Sequence, residues 1–175
     1  MEETIALIDN IIEEHRIITG KVQTLEQVAS DTETIRELEK AKEVFMPGRF
    51  DQESSLQKLQ ELLETIGSGL EAHFNREETG LLIAFEKYGA KELASALHSL
   101  LSEHEDLRGR FAHLRKIVAE LAGGELSRQV WEARAHDMRA YASHTRKLVE
   151  VHAETEQKLL QKLRSQLMRR EKENG

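Results

Sequence analysis

The ten residues from Glu71 to Gly80, EAHFNREETG, place a histidine four positions before a glutamate in a segment of helical periodicity. Residues four apart lie one turn apart on the same face of a helix, so His73 and Glu77 face the same way. The apolar residues of the segment continue that face: Leu56, Leu59, Leu63, Ile66, Leu70 and Leu81. The pair is therefore expected in the protein interior, where a carboxylate is costly unless a partner compensates for its burial.

A first long helix precedes this segment. Its core-facing residues alternate in steps of three and four, which is typical of a helix packed in a bundle, and His15 occupies one of these positions. The stripe consists of Ile8, Ile11, His15, Ile18, Val22 and Leu25. The sequence SDTE at residues 30–33 has the form of a capping box, which predicts a break near residue 30 and a short extra helix to about Phe45. The second long helix is then expected to begin near Asp51.

Two further helices follow the turn at Tyr88-Gly89. The third ends at Gly123-Gly124, and the fourth begins near Ser127 and repeats the opening motif in HAETE at residues 152–156. The third stripe is Leu93, Leu97, Leu100, His104, Leu107, Phe111, Leu114, Val118 and Leu121, and the fourth is Tyr141, Leu148, His152, Glu156, Leu159, Leu163 and Leu167. We predict an all-α fold, an antiparallel up-down four-helix bundle with a short extra helix between helices 1 and 2. A single domain would span residues 1–170, and residues 171–175 would form a frayed tail.

Composition limits the function classes. The chain has 175 residues, one proline and 33% charged residues, a profile typical of an all-helical protein. The absence of cysteine excludes thiolate metal sites and disulfides, so any metal must use nitrogen and oxygen ligands. The formal charge of −7 argues against affinity for nucleic acid or anionic membranes, and we find no transmembrane or leader pattern. We therefore expect a soluble, cytoplasmic protein.

The four predicted helices each place a histidine in the core-facing stripe, and two of these histidines are followed one turn later by a glutamate. The residues are His15, His73, Glu77, His104, His152 and Glu156. Two carboxylates in one small core repel each other and resist ionisation unless they share a cation. Helix heights agree in part, since His73 lies sixteen residues before Gly89 and His104 fifteen after it, which brings them level in antiparallel helices.

The fourth helix leaves an alternative. Measured from the Gly123-Gly124 turn, His144 is nearer the level of His104 than His152 is, so His152 requires an overhang or a longer connection. We prefer His152 because Glu156 lies one turn away from it, and we keep His144 as the reserve ligand. His98, His113 and His136 point away from the expected core and are predicted to be surface residues.

Imidazole and carboxylate ligands without sulfur suit iron, manganese or zinc, and a bundle core built from facing helices is a place where two-metal carboxylate sites occur. Four histidines and two glutamates can hold two ions, each with two histidines, with both glutamates bridging. Six protein ligands leave open positions on both ions. Dioxygen, nitric oxide or peroxide could bind there.

The four motifs, in order, resemble a known family. They are EEHR at residues 13–16, HFNREE at 73–78, EHE at 103–105 and HAETE at 152–156. Together they look like the hemerythrin-like HHE cation-binding domain. The resemblance implies a four-helix bundle around a non-haem di-iron centre, with the motif positions at the six residues already selected. The chain departs from the family pattern where hemerythrins proper have a second histidine in the third helix, because Arg108 stands there, and where many relatives have a doubled histidine, because Phe74 follows His73.

Three functions remain open at this point. The first is a di-iron protein that binds or senses dioxygen, nitric oxide or iron. The second is a redox enzyme, such as a peroxidase, an oxidase or an iron–sulfur repair protein, for which Tyr141 and His144 are the available proton-handling candidates. The third is a metal-free helical interaction module. The protein partner is not predicted by any motif.

Overall fold

The computed structural model describes residues 1–30 and 50–174. Its helices are α1 (Glu2–Ser30), α2 (Phe50–Arg76), α3 (Leu82–Tyr88), α4 (Lys91–Leu101), α5 (His104–Ala122) and α6 (Arg128–Asn174), with a π-helical turn (Glu77–Leu81) between α2 and α3. The predicted all-α four-helix fold is confirmed. The predicted short helix between the first two long helices falls on residues 31–49, which lie outside the described residues.

The four long helices form a ring. Helix α1 packs against α2 and α6, and α5 packs against the same two neighbours. Successive long helices run in opposite directions along the bundle. The shorter α3 and α4 pack against each other and against α6. The bundle interior is therefore lined by one face of each long helix, which is the arrangement that the stripes predict.

The interior contains two apolar clusters. The large apolar cluster comprises buried residues within 18–29 of α1, 56–74 of α2, 107–121 of α5 and 131–149 of α6. The small apolar cluster consists of Ile8, Ile11, Leu81, Phe85, Leu97, Leu101, Leu160, Leu163 and Leu167. Along the chain the predicted metal ligands fall at the boundary between the two clusters, with His73 directly before Phe74 of the large cluster, which places a polar layer between two apolar ones.

The predicted third helix is divided into two. Helix α4 ends at Leu101 and α5 begins at His104, with a turn at Ser102-Glu103. The N–H of Glu103 donates to the carbonyl of Leu100 at 3.0 Å, and the Ser102 hydroxyl donates to the carbonyl of Ser99 at 2.6 Å. Side-chain hydrogen bonds of this kind compete with the regular helix ladder. The apolar spacing continues across the break, so periodicity alone did not reveal it.

The core-facing stripe of α6 also differs from the prediction. Tyr141, Leu148 and Leu159 are half-buried. The positions turned fully inward are Trp131, Ala135, Met138, Ala142, Thr145, Val149, His152, Ala153, Glu156, Leu160, Leu163 and Leu167. Several of these inward positions hold small residues, whereas the larger Tyr141, Leu148 and Leu159 are only half-buried. The largest apolar residues therefore did not identify the buried face of this helix correctly.

Two glycines define the ends of helices. The N–H of Gly89 donates to the carbonyl of Phe85 at 2.8 Å, and a Cβ at this position would lie 2.6 Å from that same oxygen. Gly124 has a φ of 73° in the turn between α5 and α6, a conformation that glycine adopts without strain.

At the C-terminus, α6 continues to Asn174, beyond the predicted start of a frayed tail at residue 171. The division of the chain into a domain at residues 1–170 and a tail stays a prediction. Among the described helices, none combines the length and apolar character needed to cross a membrane.

Candidate metal centre

The six residues predicted as ligands meet between the two apolar clusters, and all six side chains are buried. Their exposed fractions are His15 4%, His73 2%, Glu77 0%, His104 0%, His152 4% and Glu156 0%. We call this set the polar layer. Burying two carboxylates with four imidazoles is unfavourable unless charges and lone pairs are compensated.

Two departures from regular α-helix adjoin the polar layer. In the π turn, the N–H of Leu82 donates to the carbonyl of Glu77. Each four-residue step in an α-helix overshoots a full turn by about 40°, and a wider turn reduces the overshoot, so that Glu77 and Leu81 both face the interior. The second departure is the break before His104. The periodicity predicted unbroken helices at both places, and π turns are frequent at functional sites.

Glu77 lies at the centre of the polar layer. Its Oε1 is 2.6 Å from His73 Nε2 and 3.3 Å from His15 Nε2. Its Oε2 is 3.2 Å from His104 Nε2. Burial raises the pKa of this carboxyl, but contacts with the three imidazoles, that of His104 foremost, outweigh burial and hold the pKa well below its usual range. The two oxygens face different histidines, which is the arrangement expected of a bridging carboxylate.

Glu156 is the second carboxylate of the layer and differs from the first. Its Oε2 is 3.2 Å from His15 Nε2 and 3.7 Å from His152 Nε2. Burial raises the pKa of Glu156, the contact with His15 opposes this increase, and the charge of Glu77 adds to it. The pKa values of the two carboxyls therefore move in opposite directions. Opposite shifts of this kind indicate that ionising both carboxyls is unfavourable unless a cation lies between them.

His15 is held between the two carboxylates. Burial lowers its pKa, but the close contacts and charge interactions with Glu156 and Glu77 outweigh burial and raise the pKa to about 9. A proton on His15 can compensate for one carboxylate in the metal-free protein. A metal ion would replace that proton, because metal ligation requires the neutral imidazole.

Three outer carboxylates hold the other histidines from behind. The pairs are Glu14 Oε2 with His73 Nδ1 at 2.8 Å, Glu78 Oε1 with His104 Nδ1 at 2.8 Å, and Glu103 Oε2 with His152 Nδ1 at 2.9 Å. A carboxylate behind an imidazole fixes its orientation and tautomer and makes it a better metal ligand. Sequence reasoning missed all three. The signal was present, since each outer glutamate is the immediate neighbour of a predicted ligand and reaches the histidine of the next helix.

When the three imidazoles are neutral, as metal ligation requires, these outer contacts leave their inner nitrogens without protons to donate. A neutral imidazole carries one N–H, and when the outer carboxylate accepts it at Nδ1, Nε2 presents a lone pair. His104 Nε2 and His152 Nε2 nevertheless lie 3.1 Å apart. Despite the short distances above, both oxygens of Glu77 and of Glu156 lack a hydrogen bond of adequate geometry among the described residues. Acceptors that face one another at such distances need a proton or a cation between them, so the layer fits a metal centre.

The polar layer divides into two potential metal-binding groups. The ligand atoms of His15, His73, Glu77 and Glu156 all lie within 4.8 Å of one another, and so do those of Glu77, His104 and His152. Glu77 belongs to both groups.

A comparison with protein-family models matches residues 6–174 to the hemerythrin HHE cation binding domain. The chain belongs to this family. The match spans nearly the whole chain and confirms the resemblance of the four motifs. Comparisons with curated proteins and with solved structures return no matching protein. Membership in the hemerythrin HHE family and the buried histidine and glutamate groups together indicate a domain that binds metal ions, iron foremost.

Arg108, one of the departures from the hemerythrin pattern, supports the centre from outside. Its guanidinium donates to Glu78 Oε1 at 2.9 Å and to Glu71 Oε2 at 3.0 Å, and it lies 5.1 Å from the centroid of the Phe74 ring. Phe74 in turn stacks on His104 with ring centroids 3.8 Å apart. Where hemerythrins proper have another histidine, this chain thus has a cation that fixes the carboxylate behind His104.

The remaining histidines lie outside the polar layer. His98, His113 and His136 are exposed, as predicted. His144 is also exposed, with Nδ1 3.5 Å from Arg110 Nη1, so the structure brings His152 and not the reserve residue to the layer.

The overhang that His152 requires is visible at the start of α6. Trp131 Nε1 donates to the carbonyl of Leu121 at 2.9 Å. The end of α5 is therefore level with Trp131, and the first turn of α6 extends past it. Counting residues from the turn assumed that both helices start at the same height, and this offset removes part of the preference for His144 that the count had produced.

Proposed function

We propose that the polar layer holds two metal ions, with iron as the first candidate and manganese or zinc as alternatives. The observation that carries the proposal is the set of buried nitrogen and oxygen atoms that face one another in a dry interior: His104 Nε2 and His152 Nε2 are 3.1 Å apart, and the oxygens of Glu77 and Glu156 have no hydrogen bond among the described residues. Three imidazoles are held in the tautomer that a metal requires. The ring of outer carboxylates serves no purpose for a metal-free packing module, since a hydrophobic layer would stabilise the bundle better.

The assignment of ligands follows the two groups. His15 and His73 would hold one ion, and His104 and His152 the other. Glu77 would bridge through its two oxygens, and Glu156 would complete the first group and lie near the second. A pair of such ions supplies redox chemistry and open positions for a small ligand.

We further propose that the loaded domain binds or senses dioxygen, nitric oxide or iron itself. The enzyme alternative requires a proton-handling side chain beside the centre. Tyr141 packs against His113 with ring centroids 4.7 Å apart, and His144 is exposed beside Arg110. Neither residue supports the enzyme alternative, so binding is the function that the geometry favours.

Anaerobic titration of the metal-free protein with Fe²⁺, followed by elemental analysis, tests the proposal. We expect about two ions per chain, and a change in the absorption spectrum when dioxygen or nitric oxide is then admitted. The matched control is Glu105→Gln, which changes an exposed residue of α5 and keeps all six inner ligands and the carboxylates behind them. A wild-type protein that binds one ion, or none, would overturn the two-metal centre, and a spectrum that dioxygen and nitric oxide leave unchanged would overturn ligand binding.

A further inference from the structure

Three of the four sides of the bundle are closed at the level of the polar layer by side chains that reach between helices. Between α1 and α2, Glu14 accepts from His73 and from Arg76, whose Nη2 lies 2.7 Å from Glu14 Oε1. Between α2 and α5, Arg108 covers Phe74 and binds Glu78. The α5–α6 side is closed by Glu103, which contacts His152.

The fourth side, between α6 and α1, is open at this level. A cleft of about 590 Å³ lies there, and we call it the α1–α6 cleft. Its lining includes His15, Glu13, Thr19, Gln23, Glu154 and Gln157. Among the described residues, the polar cross-links between these two helices lie towards the ends of the cleft: Arg164 Nε donates to Asp9 Oδ1 at 2.8 Å at one end, and Gln23 Nε2 donates to Glu150 Oε1 at 2.9 Å at the other, where Arg146 also pairs with Glu26.

His15 lies at the floor of this cleft. Although its side chain is 4% exposed, its Nδ1 has no hydrogen-bond partner among the described residues. The other three histidines have an outer carboxylate at the same atom. The missing outer carboxylate and the open side of the bundle therefore coincide at one residue.

The chemistry of the cleft suits a hydrated cation. Its lining has three glutamates: Glu13 is paired with Arg16 of the lining, Glu150 is paired with Arg146 beside it, and Glu154 adds a further negative charge. Carboxylate, amide and hydroxyl oxygens are the groups that divalent ions and their water shells prefer. Acidic clefts also raise the local concentration of cations and their rate of association.

A second cavity touches the polar layer and provides a comparison. It has about 120 Å³ between α1 and α2 and reaches His73. Its lining includes Lys21 and Arg76, and Glu14 already occupies the outer nitrogen of His73. Its smaller volume and positive charges make it a poor path for a cation.

We propose that the α1–α6 cleft is the access route by which a hydrated divalent metal ion reaches the polar layer, with His15 as the first histidine that it meets. This inference rests on the proposed metal centre. A route affects rates and not the final equilibrium. Obstructing it must therefore slow metal loading and metal release by the same factor and leave the affinity unchanged.

The test uses two variants of the cleft, each with a matched control. Gln157→Trp fills the cleft with a large ring, and Thr65→Trp places the same ring in the α1–α2 cavity. Glu154→Lys reverses a charge at the cleft, and Glu86→Lys makes the same change on an exposed residue of α3. Circular dichroism and melting curves establish that each variant folds. If Gln157→Trp does not fold, the exposed Glu154→Lys carries the test.

The measurements are the rate of anaerobic Fe²⁺ uptake by metal-free protein, the rate of Fe²⁺ loss to an excess of chelator, and the final iron content. We expect Gln157→Trp to slow uptake and loss by about tenfold or more, because a filled cleft leaves no room for a hydrated ion. Glu154→Lys should slow uptake by about threefold at low salt, and the difference should vanish near 1 M salt, where the Debye length is about 3 Å. Both controls should load at the wild-type rate.

Equal rates in wild type and in both cleft variants, or slower loading in Thr65→Trp than in Gln157→Trp, would overturn the route while leaving the metal centre intact. A change of final iron content in Gln157→Trp would also overturn it, because the cleft would then be part of the binding site. A wild-type protein that takes up no Fe²⁺ would overturn both proposals.

Discussion

The polar layer and the large apolar cluster are built from the same four helices and are buried to the same extent, yet they differ in what their burial does. The apolar cluster stabilises the fold under all conditions, because removing apolar surface from water is favourable without any partner. The polar layer has unpaired acceptors and two carboxylates in one space. It favours the folded state only when a proton or a metal ion compensates for those groups.

This difference shows that burial alone does not measure stabilisation. A substitution in the apolar cluster should cost the same with and without metal. A substitution in the polar layer should have an effect that depends on metal.

The largest effect is expected for Glu77→Gln in the metal-loaded protein, because this carboxylate belongs to both metal-binding groups. Metal that binds only the folded state contributes about 4 kcal/mol when its concentration is 1,000 times Kd. Loss of both metal-binding groups should remove this contribution to the free energy of unfolding and lower Tm by roughly 8–16 °C. Melting curves at fixed Fe²⁺, with and without chelator, measure the effect. If the metal-loaded variant has the same Tm as the metal-loaded wild type, Glu77 is not a ligand.

Leu114→Ala is the matching change in the large apolar cluster, where Leu114 is 1% exposed. Deleting a buried leucine side chain costs about 2–5 kcal/mol through lost burial and the cavity left behind. We expect the same loss in the metal-loaded and the chelated protein, measured by denaturant unfolding of each. A loss of stability confined to the metal-loaded protein would mean that the large apolar cluster and the polar layer are not independent of each other.

Glu103→Gln removes the charge of an outer carboxylate and leaves every inner ligand in place. Outer partners of this kind contribute about 10–100-fold to metal affinity, so we expect a weakening in that range. Competition with a chelator of known affinity measures it. Glu105→Gln, which changes an exposed residue in the first turn of α5, is the control and should bind metal as the wild type does.

In the chelated protein, Glu156→Gln and Glu77→Gln should act in opposite directions. Glu77 lies within 3.3 Å of three imidazoles, and losing these contacts should cost about 1–3 kcal/mol. Glu156 has a raised pKa, which means that its ionisation destabilises the fold as pH rises above its usual value. Glu156→Gln should therefore be neutral at acidic pH and stabilising at neutral pH. Equal destabilisation by both variants would make both carboxylates structural partners.

His144→Ala should have the smallest effect. The side chain is exposed, and substitutions at such positions usually change stability by less than about 0.5 kcal/mol. Iron content and Tm should both remain at wild-type values, whereas His152→Ala should lose iron. A loss of iron in His144→Ala would mean that His144 is a metal ligand.

The sequence was sufficient for the fold and for the six residues of the polar layer, because helical periodicity reports which face is buried. It was insufficient where contacts run between helices. Glu14, Glu78 and Glu103 are adjacent in sequence to residues of the layer but serve the histidine of a neighbouring helix, and no pattern within one helix shows that. The break at Ser102-Glu103 could not be predicted either, because the apolar spacing continues across it.

The π turn at Glu77–Leu81 has a consequence for how this chain can change its length. A π turn is one residue longer than the α-helical turn it replaces, so deleting a single residue between 77 and 81 would restore a regular helix. Everything that follows, including α3 and the α4 segment packed on it, would keep nearly the same orientation relative to α2, because the wider turn absorbs the extra residue within a single turn. The turn thus works as a buffer for chain length: the ligand-bearing half of this helix and the half that caps the bundle can each keep their own neighbours when one residue is gained or lost there.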